Sequence, residues 1–275
     1  MVCVCVAAIS GASLIGLLAA VLLLPATGGG SAALASSGGR GHGEGLPSHH
    51  ALQKALAKVV KEGGNSGLGL NMWASVVNRD GEVVAVAFTG ADRGDQWPGS
   101  RVISAQKANT ANAFSLPGLA LSTANLFSAV QPGGTLFGLQ ESNPVDTGVA
   151  YRGNAKLYGQ QNDPMVGRKI GGVNVFGGGL ALYTSDGELV GAIGVSGDTS
   201  CTDHIIAWKV RDALDLDNVP KGVSPTGNDN IVHDIAEDAN GHAKSAGGFG
   251  HPACDGNAVT IANQLPTTHP IGPNP

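Results

Sequence analysis

Two stretches of the chain share one pattern of apolar and polar positions. Val76-Val77-Asn78-Arg79-Asp80-Gly81-Glu82-Val83-Val84 and Leu182-Tyr183-Thr184-Ser185-Asp186-Gly187-Glu188-Leu189-Val190 each set Asp-Gly between apolar runs. That arrangement predicts a β-hairpin closed by a two-residue turn whose central residues take positive φ. The hairpins cover about Met72–Thr89 and Leu180–Ser196. Their return strands, Val83–Phe88 and Leu189–Val195, are apolar throughout instead of alternating. Such strands need both faces covered, by helices or by another subunit.

Helical periodicity surrounds the hairpins. Ser48 is placed to cap a helix running to about Glu62, with Leu52, Leu56, Val59 and Val60 on one face and His49 and His50 exposed in its first turn. A second helix starts at Ser100 or Ser104 and runs through Phe114, and a short one is expected over Ala120–Val130. Residues 131–179 are rich in Gly, Asn and Pro, with few periodic stretches. A segment of that length reads as a functional loop or an insertion. A further helix follows from about Cys201 to Leu214, with Ser200 and Asp203 at capping-box spacing, and after Asp217 the chain reads as a tail. The order predicts an α+β domain, an antiparallel β-sheet built from two hairpins with flanking α-helices.

Val2–Leu24 carries no charge, Pro25 ends the run, and Ala33-Leu34-Ala35 suits a signal peptidase. Residues 1–35 are therefore expected to be a signal peptide, or alternatively an N-terminal anchor, since the apolar run is long and lacks a basic start. Either reading puts the folded part outside the cytoplasm, periplasmic or secreted, with membrane attachment only if the segment is retained. Residues 36–47 are a flexible linker, 48–215 the domain, and 216–275 the C-terminal tail.

Composition narrows the picture. The formal charge is −5 with no basic cluster, which argues against a nucleic-acid surface. Aromatics make up 4% of the chain and Gly contributes 43 residues, so tight turns and close backbone packing are expected in place of a large aromatic core. Outside the leader only Cys201 and Cys254 remain. In an exported protein the pair reads as a disulfide tethering the tail. Metal binding by two thiolates is the weaker alternative, and c-type haem attachment is excluded because no C-x-x-C-H occurs.

Gly194-Val195-Ser196-Gly197-Asp198 comes near a nucleophile elbow but has Asp where Gly is required. There is no Walker A, G-x-G-x-x-G or H-E-x-x-H motif. On the second helix, Lys107, Thr110 and Phe114 share one face, and Ala105, Ala108, Ala111 and Ala113 permit close approach by a backbone or a flat ligand. His204, beside Asp203, is a further candidate iron ligand, with Asp203 as the group that would orient it. His233, His242 and His251 lie in the tail.

The helix Ala105-Gln106-Lys107-Ala108-Asn109-Thr110-Ala111 and the run Gly187-Glu188-Leu189-Val190-Gly191-Ala192-Ile193-Gly194-Val195-Ser196-Gly197-Asp198 resemble the GlcG/HbpS haem-binding family over about residues 48–215. The resemblance implies an antiparallel sheet with flanking helices, assembly into tetramers or octamers, and non-covalent haem binding. It implies Thr110 as a weak axial ligand and Lys107 as a propionate partner. Relatives often carry His or Tyr where this chain has Asn109, and an amide is a poor iron ligand. Tyr151, Tyr158, Phe137 and Met165 of the long segment would cover a porphyrin face or pack the loop. The expected function is haem binding in haem or iron handling or redox sensing. The alternatives are a small-molecule-binding or structural oligomer without haem, and a haem-degrading enzyme.

Overall fold

The structure is a computed structural model that describes residues 44–237 and 243–272. The expected leader, residues 36–43 of the linker and His242 lie outside the described residues. Among the described residues no helix is long and apolar enough to cross a membrane.

Helix α1 (His49–Glu62) begins where Ser48 Oγ accepts the amide of Ala51, 3.2 Å away. Then come β1 (Trp73–Asn78), β2 (Val83–Phe88) and α2 (Ser100–Phe114). Two short helices, α3 (Leu139–Ser142) and α4 (Thr147–Ala150), precede β3 (Gly179–Tyr183), β4 (Leu189–Ser196) and α5 (Ser200–Ala213). A small hairpin, β5 (Ile235–Glu237) with β6 (Ala243–Ser245), and α6 (Gly256–Thr268) complete the chain. The main sheet is antiparallel, in the order β2-β1-β4-β3, so the inner strands of the two hairpins pair with each other. The α+β expectation holds.

Side chains alternate between two buried faces. Ala74, Val76, Ala85, Ala87, Leu180, Leu182, Ile193 and Val195 pack with α1, α5 and α6. Trp73, Val83, Val86, Phe88 and Ala192 pack with α2 and with Ala150, Met165 and Ile170 of the long segment. Both layers come from this one chain, which explains the unbroken apolar return strands.

The α2 face is built for close approach. A Cβ added to Gly194 would lie 2.5 Å from the amide nitrogen of Ala108 and nearer still to the carbonyl oxygen of Ser104. Only glycine lets the helix lie this close to β4.

Four expectations need correction. The hairpin turns are three-residue loops: Asn78 N donates to Glu82 O, and Thr184 N to Glu188 O, both 2.9 Å. Gly81 and Gly187 have φ of 75° and 79°, whereas Asp80 and Asp186 are not in the positive-φ region. A turn followed by a left-handed glycine satisfies the same Asp-Gly signal as the two-residue form. The stretch 120–130 forms two 3₁₀ turns, Thr123–Leu126 and Ser128–Val130, the first capped by Ser122 and Asn125.

Residues 216–275 are not a tail in their described part. Ile231, Ala258, Ala262 and Leu265 join the core around α5. Lastly, the cap of α5 is Thr199, whose side chain accepts the amide of Thr202, not the Ser200–Asp203 box. The disulfide between Cys201 and Cys254 is present, with Cα atoms 6.0 Å apart.

The 131–179 segment is structural as well as long. Val83 N donates to Arg168 O (2.8 Å) and Gly167 N to Val83 O (2.9 Å), which covers the start of the β2 edge.

Candidate functional site

Helix α2 carries most of the candidate residues, and the fold commits them differently from the sequence reading. Lys107 is fully buried, with Nζ 2.6 Å from Asp203 Oδ2 and 3.0 Å from Val195 O. It therefore faces a carboxylate of its own chain and not a propionate. Burial lowers its pKa, opposed by Asp203, and burial raises Asp203 to about 6. Thr110 Oγ1 donates to Gln106 O (2.8 Å) and accepts the amide of Asn174 (3.0 Å). Asn109 Nδ2 donates to Gly172 O, 2.9 Å away. The long segment thus lies over the Asn109–Thr110 part of the helix. Phe114 packs with the cluster of Leu126, Val130 and Val175.

His204 is also enclosed. Its Nε2 accepts the amide of Ile231 at 3.1 Å and lies 3.2 Å from Asn230 Oδ1, while Nδ1 has no partner among the described residues. Burial pushes its pKa down to about 3. Asp203 does not orient it, because both carboxylate oxygens are used: Oδ2 by Lys107, and Oδ1 by the amides of Gly197 (3.1 Å) and Asp198 (2.9 Å). His49 Nε2 lies 2.9 Å from Gly159 O. Among the described residues no group of three or more His, Cys, Asp or Glu side chains is arranged to hold a metal ion.

The chemistry available to a flat ligand lies at the other end of α2. A cavity of about 310 Å³ opens between Trp73 on β1, Arg93 and Pro98 in the loop before α2, Val102 on α2, and Tyr151 and Tyr158 of the long segment. Arg101 forms its inner wall. Its Nε lies 2.8 Å from Asp163 Oδ2, Nη2 reaches Asp163 Oδ1, Nη1 donates to Ala150 O (2.8 Å), and the guanidinium stacks 3.7 Å from the Tyr158 ring centre. Asp163 also accepts the amides of Gly159 and Met165, at 2.7 and 2.8 Å. This one buried carboxylate shapes the loop that supplies both tyrosines.

Trp73 is 1% exposed, and among the described residues its indole N–H has no partner. A buried donor left unpaired costs about 1–3 kcal/mol. Tyr151 is 64% exposed at the mouth, with its hydroxyl free of any described bond. Of the other expected covers, Met165 is fully buried in the core and Phe137 projects outward, away from the cavity lining.

Sequence reasoning named Tyr151 and Tyr158 but missed Trp73, Arg93 and Arg101. The available signal for Arg101 was a charged residue in the stripe that also carries Ala105 and Ala108. Asp163 had none, because its partner lies 62 residues away.

An antiparallel sheet between α2 on one face and α1 and α5 on the other, with an aromatic cavity beside α2, is the class of domain that fold and site define. Residues 48–211 match the family model described as haem degrading protein HbpS-like, and the chain belongs to that family. Among solved structures it is similar to a PduOC:heme complex, at 25% identity over 60% of this chain and 89% of that one, with a TM-score of 0.41. The Klebsiella pneumoniae protein ORFY matches at 25% identity over 61% and 90%, TM-score 0.41. A Streptomyces reticuli HbpS double mutant matches at 17% over 68% and 97%, TM-score 0.38. A search of curated proteins returns no match.

Proposed function

We propose that this protein binds haem non-covalently in the cavity between α2 and the 145–170 region, as part of haem or iron handling. The family match supports haem as the ligand. The observation that carries the location is an open cavity whose lining combines Trp73, Tyr151 and Tyr158 with Arg93. A volume of about 310 Å³ is within the range of small-molecule sites. Tyr158 and Pro98 offer apolar faces to a macrocycle, while Arg93 suits its carboxylates. Tyr151 is the oxygen ligand within reach of the mouth, and phenolate is an established haem-iron ligand type. Bound haem would supply a redox-active iron.

The disulfide supports an extracytoplasmic, periplasmic or secreted, place of work. Self-association into a tetramer or octamer belongs to the same proposal, supported by the exposed Leu68, Trp97, Leu116 and Phe137.

Hemin titration of the purified protein tests the reading. A saturable Soret shift is expected, with weaker binding and an altered spectrum in Tyr151→Phe. Thr110→Ala should leave the spectrum unchanged. A spectrum that responds to Thr110→Ala and ignores Tyr151→Phe would move the site back to the middle of α2. Adding a reductant separates binding from degradation, since only degradation bleaches the Soret band and frees iron. Size-exclusion chromatography of the same samples reads the assembly.

A further inference from the structure

Ser200 and His251 are 51 residues apart in sequence and meet in the fold. Ser200 is the first residue of α5 and half-buried, while His251 is buried in the loop between β6 and α6. His251 Nδ1 lies 2.7 Å from Pro252 O. A carbonyl can only accept, so Nδ1 carries the proton and Nε2 presents its lone pair. Ser200 Oγ lies 2.7 Å from Nε2, and the hydroxyl therefore donates to the imidazole. This is the relation by which a base activates an alcohol nucleophile.

The surroundings hold that geometry. The Phe127 ring centre lies 5.0 Å and that of His233 6.4 Å from the His251 ring, fixing its plane. Burial takes the imidazole down to about 4, so it is neutral at pH 7. Gly177 N donates to Ser200 Oγ at 2.7 Å, which uses one of the two oxygen lone pairs and leaves the other for attack. A Cβ at Gly177 would lie 3.0 Å from His204 Cβ and closer to Ser200 O, so glycine is required for this approach. First-turn amides have no acceptor within their own helix, and they concentrate the positive end of the α5 dipole at Ser200. The amide of Cys201 is taken by Cys254 Sγ at 3.2 Å.

We propose that Ser200 and His251 form a nucleophile–base pair for acyl transfer from small apolar esters to water. Ser200 Oγ attacks the ester carbonyl carbon while its proton passes to His251 Nε2. The tetrahedral intermediate collapses, the C–O bond to the alkoxide breaks, and Nε2 returns the proton to release the alcohol. Water then attacks the acyl-serine with His251 again taking the proton; the C–Oγ bond breaks and Nε2 returns that proton to Ser200 Oγ, giving the carboxylic acid and free Ser200. The apolar class follows from the neighbours. Phe127 packs on the base, Phe176 precedes Gly177 and is 49% exposed, and Phe249 lies two residues before His251 and is 36% exposed. None of these residues lines the aromatic cavity, so this site stands apart from the haem reading.

The test uses the full, oxidised protein. A fluorophosphonate probe should give a single covalent adduct mapping to Ser200 by mass spectrometry, as Oγ displaces fluoride from phosphorus. Hydrolysis of p-nitrophenyl acetate and butyrate should saturate and vanish in Ser200→Ala. It should fall by about 10²–10⁴-fold in His251→Ala. The labelling uses unmutated protein and does not depend on a variant folding. No adduct on Ser200, or hydrolysis unchanged in a folded Ser200→Ala protein, overturns the proposal.

Discussion

Lys107 Nζ sits 2.6 Å from Asp203 Oδ2, and both side chains are buried. The bond joins α2, on one face of the sheet, to α5, on the other. It passes the end of β4, where Lys107 also bonds Val195 O and Asp203 holds the amides of Gly197 and Asp198. The two sequence segments that carry the family resemblance are therefore bonded to each other.

Breaking this pair from one side should be costly. Lys107→Met strands a buried carboxylate, and loss of one partner from a buried pair costs about 3–5 kcal/mol. Lys107→Met with Asp203→Asn keeps an acceptor for the two amides and removes the stranded charge, so it should recover part of that loss. Urea unfolding midpoints of the two variants check the order.

Gly194→Ala should destabilise strongly, because backbone atoms of α2 occupy the space a methyl needs. Gly118→Ala, where nothing lies within 4 Å, should melt close to the parent protein. Thermal melts of the pair separate close packing from any general effect of losing glycine.

The Cys201–Cys254 bond closes a loop with a sequence separation of 53. Chain entropy assigns it about 4 kcal/mol. Replacing both cysteines with serine should lower the denaturation midpoint accordingly and expose α6 to early amide exchange. Hydrogen exchange followed by mass spectrometry reads the second effect.

Burial holds His204 neutral in the fold down to about pH 3, against 6.5 when unfolded. Below pH 6.5 the unfolded chain takes a proton that the folded chain refuses, so this residue costs stability as pH falls toward about 3. Asp203 and Asp217, both raised to about 6 by burial, act in the opposite sense below pH 6. The signature is thus a difference between proteins. His204→Gln should lose less stability than the parent on going from pH 7 to 4.5, measured by denaturant midpoints at each pH.

Local patterns were enough for α1, the four main strands, α2 and α5, because each has a periodic apolar run and a nearby cap or turn residue. They misjudged α6. Its Ala258, Ala262 and Leu265 repeat at helical spacing, but short alanines amid polar residues give a weak signal. The candidate site was less legible. Lys107 looked like a surface cation on a ligand-facing helix, and its partner lay 96 residues on. Thr110 and Asn109 were closed off by backbone groups at 174 and 172, which carry no side-chain signature at all.

The sequence by itself determined the twin hairpins, the alanine-rich face of α2, the cysteine pair and the family. Each depends on residues whose effect is local or whose spacing is periodic. Only the tertiary structure decided which polar groups remain available. It bonded Lys107, Thr110 and His204 within the fold, opened a cavity beside Trp73, Tyr151 and Tyr158, and set Ser200 against His251. Those outcomes depend on contacts between distant segments, and the desolvation that fixes them exists only once the layers have packed.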